Sequence, residues 1–381
     1  MSELRDTSFQ TGPFSRLVSS RTLSRLDLNL LGTAILIAAI GSVLVFSATA
    51  EGKDAQLFGK QLVWIAVGIV AMLIFTFIDY RLLLDIALPL WIVGILLLGW
   101  LLVWGQETAK VKSWIHLGAF QFQPSEFVKI FTVLLVAKHF DSHSEPYLTL
   151  RSMLTLGGIV GLPVVMIVVQ PDFGTAATFV PVAFAAVFLG GIRPRFWIIG
   201  TVIALLAAPV IWFGFLQPYQ KERVMIFVDP QRDPHGSGYQ VMQSKIAIGS
   251  GGITGKGFRE GTQAKLEYLP ARHTDFIFAV LGEEWGFVGV LVMLTLYLFF
   301  ITSALRIAKS ARDRAGTFLA VCLTSFFIFH ILINVGMQIG LLPTTGIPLP
   351  LVSYGGSSML MFFIATGLIL NVDYRKFVNV G

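Results

Sequence analysis

Charged residues and cysteine are both scarce in this chain. Only 13% of its 381 residues are Asp, Glu, Lys or Arg, whereas 55% are hydrophobic. A soluble protein of this length would need more polar surface than that, so the composition places the chain in a lipid bilayer. The single cysteine, Cys322, lies within an apolar run, which excludes a disulfide framework and a thiolate metal site.

Apolar runs long enough to cross a bilayer recur along almost the whole chain. A helix needs roughly 20 apolar residues to span the hydrocarbon core. We therefore predict an all-α, polytopic integral membrane protein with about ten transmembrane helices. They are expected at roughly 28–50, 57–78, 84–104, 121–137, 153–170, 173–190, 195–216, 275–303, 317–342 and 351–371. The first run is too long for a signal peptide, so we expect it to remain uncleaved.

The distribution of basic residues predicts the orientation. Lys and Arg collect in both tails and in the short loops on one side, so both termini are expected to be cytoplasmic. We expect an N-terminal tail at 1–25, a single transmembrane domain at 26–373 and a C-terminal tail at 374–381. A large extracytoplasmic loop, at about 217–274, would join helices 7 and 8.

This predicted loop is itself basic. Its Lys and Arg residues suit attraction to anionic lipid, and its glycine-rich turns could bring backbone amides close to a lipid-borne phosphate. The stretch "GSGGITGKG" does not fit a nucleotide-binding phosphate loop, because Ser250 replaces the first glycine of that motif and Gly257 follows the lysine.

Ionisable residues cluster first in "VKSWIHLGAFQFQPSEFVK", at 111–129. Pro124 begins a helix on which Glu126 and Lys129 share a face. The two charges could simply neutralise each other, but a lysine directed into the membrane is costly enough to favour a functional role for Lys129. Trp114 and His116 are expected in an interfacial loop, where a tryptophan is more often a headgroup anchor than a sugar platform.

A second cluster lies in "LPARHTDFIFAVLGEEWG", at 269–286. Thr274 is a good N-cap, which would place Asp275 in the first helical turn. Asp275 either complements the helix dipole or, with the neighbouring His273, belongs to a site built at this helix end. Glu283 and Glu284 would lie about 12 Å deeper, where at least one of them should face the protein interior or be protonated, and we expect a mainly structural role for both.

Two further stretches differ in what they predict. "GLLPTTGIPLPLVSYGGSSM", at 340–359, cannot continue a regular helix because of its prolines and glycines, so we expect it to line a cavity. "QPDFGT", at 170–175, is explained by a tight turn in which Asp172 caps the next helix, and no functional role is predicted for it.

These stretches, in this order, resemble the SEDS family (shape, elongation, division, sporulation) of bacterial membrane proteins over nearly the whole chain. The motifs that carry the resemblance are "QPSEFVK", "QPDFGT", "GYQVMQSKIAIGSGGITGKGF", "LPARHTDFIFAVLGEEWG" and "GIPLPLVSYGGSS". Within the family, "GMQIGLLPTTGIPLPLVSYGG" and "GTQAKLEYLPARHTDF" look more like the rod-elongation branch than the division branch.

The resemblance implies a peptidoglycan glycosyltransferase that polymerises lipid II at the outer face of the bacterial cytoplasmic (inner) membrane and releases undecaprenyl pyrophosphate. It implies as partners a class B penicillin-binding transpeptidase, other elongation-complex proteins, undecaprenyl-linked glycan and membrane lipids, and no nucleic acid. The essential aspartate of the family matches Asp275, and other sensitive positions match Trp114, Glu126 and Lys129. One departure is Ser113, which stands where the family often has arginine.

The residues suit this chemistry. Glycosyl transfer needs a base for the attacking hydroxyl and positive charge for the departing pyrophosphate. Asp275 is the candidate base, Lys129, Arg223 and Lys245 are candidates for holding the pyrophosphate, and His273 is a further candidate for substrate binding. Alternatively, Asp275 binds a divalent cation, Mg²⁺ or Mn²⁺, that neutralises the leaving group. We expect no organic cofactor.

Two other functions also fit a ten-helix protein with interrupted helices. A lipid II flippase or transporter would move lipid without chain growth, and a non-catalytic scaffold of the elongation machinery would not need Asp275. The polar residues gather on the outer side and not along a path through the membrane midplane, which favours the enzyme.

Overall fold

Long helices make up most of the protein. The computed structural model describes residues 26–50, 54–108, 111–117, 120–141, 147–215, 221–222, 225–227, 229, 232–233, 236–266 and 268–376. Within these residues, the helices are α1 Leu28–Thr49, α2 Gln56–Phe77, α3 Tyr80–Asp85, α4 Ala87–Trp104, α5 Pro124–Asp141, α6 Leu150–Val169, α7 Phe173–Ala177, α8 Val180–Gly190, α9 Pro194–Val210 with a π-helical turn at Ile211–Phe215, α10 Ser237–Ser250, α11 Thr262–Lys265, α12 Ile277–Lys309, α13 Arg314–Gln338 and α14 Gly356–Arg375.

Eight helical segments of the described chain are long and apolar enough to cross a membrane. They are α1, α2, α4, α6, the pair α7 and α8 (Phe173–Gly190), α12, α13 and α14. Two more helices, α5 and α9, lie at predicted spans. The first carries several charged residues, among them Glu126 and Lys129, and the second is 17 residues long. The multi-pass helical architecture is thus confirmed, while the count of ten membrane crossings stays a prediction.

The centre of the protein is α14, which is buried along most of its length. It packs closely against α2, because glycines remove side chains from the contact. A Cβ atom added at Gly367 would lie 2.4 Å from the Met72 carbonyl oxygen, and one added at Gly68 would lie 2.2 Å from the Phe363 ring. The outward face of α2, by contrast, exposes large aliphatic side chains, as a lipid-facing surface requires.

A small antiparallel sheet interrupts the helices between α4 and α5. Its strands are β1 Gln106–Thr108, β2 Val111–Leu117 and β3 Phe120–Phe122, in the order β1-β2-β3. Trp114, expected in an interfacial loop, lies on the central strand and pairs with Gln106. The β-branched and aromatic residues of this stretch favour strand pairing over an open loop.

Helix α12 begins two residues later than the sequence suggested. Its N-cap is Phe276, and no side chain caps it. The expectation that Thr274 is the N-cap is therefore wrong, and its hydroxyl donates instead to the Ala271 carbonyl oxygen at 3.2 Å. Asp275 therefore lies in the turn that precedes the helix and not in its first turn.

Helix α12 is also kinked, at Gly286, which adopts φ 63° and ψ −161°. The glycine-rich turn near 251–257 docks against this kink. The backbone amide of Lys256 donates to the Glu283 carbonyl oxygen, and that of Gly257 donates to the Glu284 carbonyl oxygen, both at 3.0 Å. These two amides satisfy carbonyls at the kink, so they do not form the anion cradle that the glycine pattern suggested.

Candidate functional site

A cavity of about 410 Å³ opens among α5, α7, α13 and the proline-rich segment 340–355. It brings together four of the residues singled out from the sequence: Trp114, Glu126, Lys129 and Asp275. Its other lining residues are Ser113, Gln123, Asp172, Thr175, Thr178, Thr274, His330, Gly346, Ile347, Pro348, Tyr354, Gly355 and Ser358. As predicted, the proline-rich segment lines a cavity.

The backbone at Asp275 is held by α13. Its carbonyl oxygen accepts hydrogen bonds from the side-chain amides of Asn334, at 2.9 Å, and Gln338, at 3.0 Å. Gln338 also donates to the Asn334 side chain at 2.6 Å and accepts from the Ala279 amide at 2.6 Å. These two buried amides therefore fix the start of α12 without using the Asp275 carboxylate.

The proline-rich segment holds the preceding two residues in the same way. The carbonyl oxygen of Thr274 accepts from the Ser353 hydroxyl at 2.5 Å, and that of His273 accepts from the Tyr354 amide at 2.9 Å. Three consecutive carbonyls, from residue 273 to residue 275, are thus anchored by distant parts of the chain. The turn that carries Asp275 is accordingly a defined structure.

The carboxyl group of Asp275 lies in a poorly hydrated environment. Burial raises its pKa from 3.8 to about 6, and a hydrogen bond with the Thr274 side chain opposes this in part. Gly346, at φ +68°, passes close by, and a Cβ atom added there would lie 3.5 Å from Oδ2 of Asp275. A carboxyl group with a pKa near 6 can accept a proton at neutral pH more readily than an ordinary aspartate.

Lys129 and Glu126 form a buried ion pair in the cavity wall. The distance from Lys129 Nζ to Glu126 Oε1 is 2.8 Å, and both side chains are 5% or less exposed. The other carboxylate oxygen, Oε2 of Glu126, has no hydrogen-bond partner among the described residues. One short hydrogen bond thus joins the two side chains, and the pair has acceptor capacity left for a ligand.

Asp172 contributes to this cavity although no functional role was predicted for it. As expected, it caps α7, accepting from the Thr175 amide at 3.1 Å. Its Oδ2 also accepts from the Thr175 hydroxyl at 2.9 Å and from the Gln123 side-chain amide at 3.3 Å. Asp172 thereby ties the start of α5 to the start of α7, two elements that carry cavity residues.

Two other lining residues are His330, which sequence reasoning missed, and Tyr354, which belongs to the segment expected to line a cavity. His330 is 1% exposed, and its Nδ1 lies 3.2 Å from the Pro348 carbonyl oxygen. Burial raises the pKa of the Tyr354 hydroxyl. The position of His330, an imidazole within a predicted transmembrane helix, was a usable signal, because intramembrane ionisable residues are costly and commonly functional.

The remaining predicted site residues do not line this cavity. Lys245 is exposed and borders a separate shallow groove with Gly340 and Leu342. The ring of His273 contacts the Tyr354 ring. Burial lowers the pKa of His273, the Asp54 charge opposes this in part, and the Arg272 charge adds a smaller lowering. Arg223 lies outside the described residues.

Glu283 and Glu284 face the protein interior, as predicted, with 0% and 3% exposure. Glu283 Oε1 lies 2.7 Å from Lys256 Nζ, and Glu284 accepts a hydrogen bond from the Ser47 hydroxyl. They connect α12 to the glycine-rich turn and to α1. Neither borders the cavity of Asp275, which agrees with a structural role.

Comparison with known proteins places the chain in a family. A family model described as "Cell cycle protein", which covers FtsW, RodA and SpoVE, matches residues 25–377. The peptidoglycan glycosyltransferase MrdB of Escherichia coli K12 is 39% identical over 345 residues, which is 89% of this chain and 92% of that protein. The peptidoglycan glycosyltransferase RodA of Treponema pallidum is 32% identical and covers 93% of this chain and 99% of its own length.

Solved structures agree with this assignment. One chain of a peptidoglycan synthase complex, described as coordinating polymerization and crosslinking, superposes with a TM-score of 0.80 at 33% identity and covers 93% of this chain and 99% of that chain. The rod shape determining protein RodA of Thermus thermophilus gives a TM-score of 0.69 at 27% identity, with 93% and 98% covered. The chain is a multi-pass membrane protein that belongs to the FtsW/RodA/SpoVE family.

Proposed function

We propose that the chain is a peptidoglycan glycosyltransferase that polymerises lipid II at the outer face of the bacterial cytoplasmic membrane. The observation that carries the proposal is the cavity in which Asp275, with a pKa near 6, and the ammonium group of Lys129 both lie. Relatives that match about nine-tenths of the chain bear this activity in their names. The proposed setting is cell elongation.

Asp275 takes the role of general base. The hydroxyl oxygen of the acceptor sugar forms a bond to the anomeric carbon of the lipid-linked donor, and the bond from that carbon to the pyrophosphate oxygen breaks. The hydroxyl proton passes to the Asp275 carboxylate, while the electron pair of the broken bond leaves with undecaprenyl pyrophosphate. The raised pKa of Asp275 brings its proton affinity closer to the operating pH, which suits a base.

Lys129 supplies positive charge to the departing pyrophosphate. In the protein as it stands, this charge is neutralised by Glu126 at 2.8 Å. A pyrophosphate in the cavity would compete with Glu126 for the ammonium protons, and Glu126 holds the lysine in place until then. Trp114, half-buried in the cavity wall, offers an apolar face to a sugar ring.

A divalent cation is compatible with the cavity only if the substrate helps to bind it. Within the described residues, no three carboxylate, imidazole or thiolate groups lie close enough to form a metal site. Mg²⁺, however, commonly binds through one or two carboxylates together with substrate phosphates. Asp275 would be the protein ligand, and the ion would neutralise charge on the leaving group. Activity that survives exhaustive chelation would exclude this role.

The polymerisation of labelled lipid II by the purified protein tests the main proposal. We expect wild type to extend chains, alone or with a class B penicillin-binding transpeptidase as the proposed partner, and a folded Asp275→Asn variant to lose this activity. Asp229→Asn is the matched control, since Asp229 lies on the surface in an ion pair with Arg232. It should polymerise as wild type does.

Each alternative function predicts a different result. A flippase would transfer lipid II between the leaflets of a vesicle without forming chains, in wild type as well as in the control. A scaffold would do neither, and Asp275→Asn would still support cell elongation. Equal polymerisation by wild type and Asp275→Asn would preserve the enzyme but remove Asp275 from its mechanism.

A further inference from the structure

The floor of the cavity contains a buried hydrogen-bond acceptor that the mechanism above does not use. It is Nε2 of His330, which has no hydrogen-bond partner among the described residues. His330 lies on α13 and is 1% exposed, yet it lines the same cavity as Asp275 and Lys129. Buried polar atoms are nearly always paired, so an unpaired one in a ligand cavity calls for a partner.

The contacts of the ring determine what this nitrogen can do. Nδ1 lies 3.2 Å from the carbonyl oxygen of Pro348, which can only accept, so Nδ1 carries the proton in this hydrogen-bond network. A buried imidazolium beside the Lys129 ammonium would place two positive charges together out of water, so the neutral ring is favoured. Nε2 is then an acceptor and not a donor.

Packing also fixes the orientation of the ring. His330 meets the ring of Phe362 edge to face, with centroids 5.0 Å apart and planes at 88°. The bond to Pro348 and this aromatic contact together hold the imidazole in place, so Nε2 cannot turn to a partner elsewhere in the protein. A hydrogen-bond donor for Nε2 therefore has to be brought by a ligand that enters the cavity.

Glu126 presents a second unmet acceptor in the same cavity, its Oε2 atom. A ligand that satisfies both atoms must be rich in O–H or N–H groups. Sugars that carry hydroxyl and acetamido groups have this property, whereas a lipid phosphate, which lacks donors when ionised, does not. The two acceptors therefore match the sugar part of a lipid-linked substrate and Lys129 matches its phosphates.

We propose that His330 is a substrate-binding residue, whose Nε2 accepts a hydrogen bond from a hydroxyl or acetamido N–H group of the sugar bound in the cavity. This assignment rests on the proposed function. It adds a specificity element, because a site built to bond a polar substrate group discriminates strongly against an analogue that lacks it. It also makes the bond to Pro348 a positioning contact that aims Nε2.

Two substitutions of His330 distinguish the role of Nδ1 from that of Nε2. Asparagine places a donor near the position of Nδ1, so His330→Asn keeps the bond to Pro348 and loses the Nε2 acceptor. Glutamine reaches to the position of Nε2, so His330→Gln keeps an acceptor there and loses the bond to Pro348. The dissociation constant of lipid II in detergent and the midpoint of thermal unfolding are measured for both variants and for wild type.

We expect the affinity for lipid II to follow the acceptor and the thermal stability to follow the Pro348 bond. His330→Asn should bind lipid II about ten-fold more weakly with an unchanged midpoint, since a lost hydrogen bond leaves a buried substrate donor unpaired. His330→Gln should recover most of the affinity but unfold at a lower temperature.

The proposal is overturned if His330→Asn binds as wild type does, or if His330→Gln binds as weakly as His330→Asn. Should His330→Asn not fold, the glutamine variant decides alone: affinity within two-fold of wild type supports the proposal and a ten-fold loss overturns it. Wild-type protein that binds no lipid II at all would overturn the proposed function itself, and with it the role of His330. Wild-type binding and polymerisation with an unaffected asparagine variant would overturn the role of His330 alone.

Discussion

Replacing Asp275 by asparagine should make the protein more stable while it removes catalysis. Burial raises the pKa of Asp275 from 3.8 to about 6. Between these two pH values the folded protein therefore holds a proton on Asp275 that the unfolded chain has released. The free energy of unfolding therefore falls as the pH rises through this window. At pH 7 and above, the folded protein bears the full free-energy cost of burying an ionised carboxylate. Asparagine carries no charge and avoids the cost.

The size of the effect follows from the two pKa values. At about 1.4 kcal/mol per pH unit, a pKa of about 6 instead of 3.8 amounts to at most about 3 kcal/mol. Asp275 is partly exposed to the cavity, so water reduces this figure, and we expect about half of it. With roughly 2–4 °C per kcal/mol, the unfolding midpoint of Asp275→Asn should exceed that of wild type by about 3–6 °C at pH 8.

The chain provides its own reporter for this measurement. Cys322 is the single cysteine, and it is fully buried in α13, so a thiol-reactive fluorogenic dye reports unfolding without any added label. The difference in midpoint between Asp275→Asn and wild type should shrink as the pH is lowered from 8 towards 4. Asp275→Glu keeps a carboxyl group and serves as the control. A difference that is the same at all pH values, or a less stable asparagine variant, would refute the idea that an ionised carboxylate is costly here.

Further substitutions test the ion pair, the helix kink and the acid limb of activity. Glu126→Gln should destabilise the protein by about 3–5 kcal/mol, because it leaves the buried ammonium of Lys129 unpaired. Adding Lys129→Met should recover the unfolding midpoint but not polymerisation. Equal midpoints for the single and double variants would contradict this. Gly286→Ala should be strongly destabilising, since the residue has φ +63° and its new Cβ atom would lie 2.3 Å from a backbone nitrogen. Gly161→Ala is the control, because no atom lies within 4 Å of the new Cβ atom, and it should unfold at or above the wild-type midpoint. The rate of polymerisation should rise with pH through about 6 as Asp275 ionises, and a rate that is flat between pH 5 and 7.5 would argue against a general base at this position.

The sequence was sufficient to predict where the helices lie, because a bilayer imposes one strong requirement. Each predicted span corresponds to an observed helix, including α5, whose charged residues weaken its hydropathy signal. The short sheet at 106–122 was not predicted, since it is held by pairing between neighbouring strands and not by burial in lipid. Local patterns of that length do not separate a strand from an interfacial loop.

Only some residues of the site could be predicted from the sequence. Lys129 was singled out because a lysine directed into the membrane is costly, and Asp275 because it lies with other polar residues at a helix end. Asp172 was dismissed because its capping role explained it fully, and that role is real. What the sequence could not indicate is that Gly174, two residues later, would approach the Thr345 carbonyl and bring Asp172 to the wall of the cavity. Such contacts join residues more than 150 positions apart.

The most consequential feature that local sequence rules missed is how the turn at Asp275 is held. Thr274 is a residue type that caps helices well, yet the helix starts later. The carbonyl oxygens of residues 274 and 275, which would join its first turn, accept hydrogen bonds from the side chains of Asn334, Gln338 and Ser353 instead. This arrangement fixes the backbone of the turn from outside and does not use the Asp275 carboxyl group. A catalytic group held in this way is positioned before the substrate arrives, which lowers the cost of reaching the transition state. It follows that changes to the carboxyl group should alter chemistry and leave geometry in place, whereas Gln338→Leu should move the turn and reduce polymerisation although it leaves every ionisable group of the cavity unchanged.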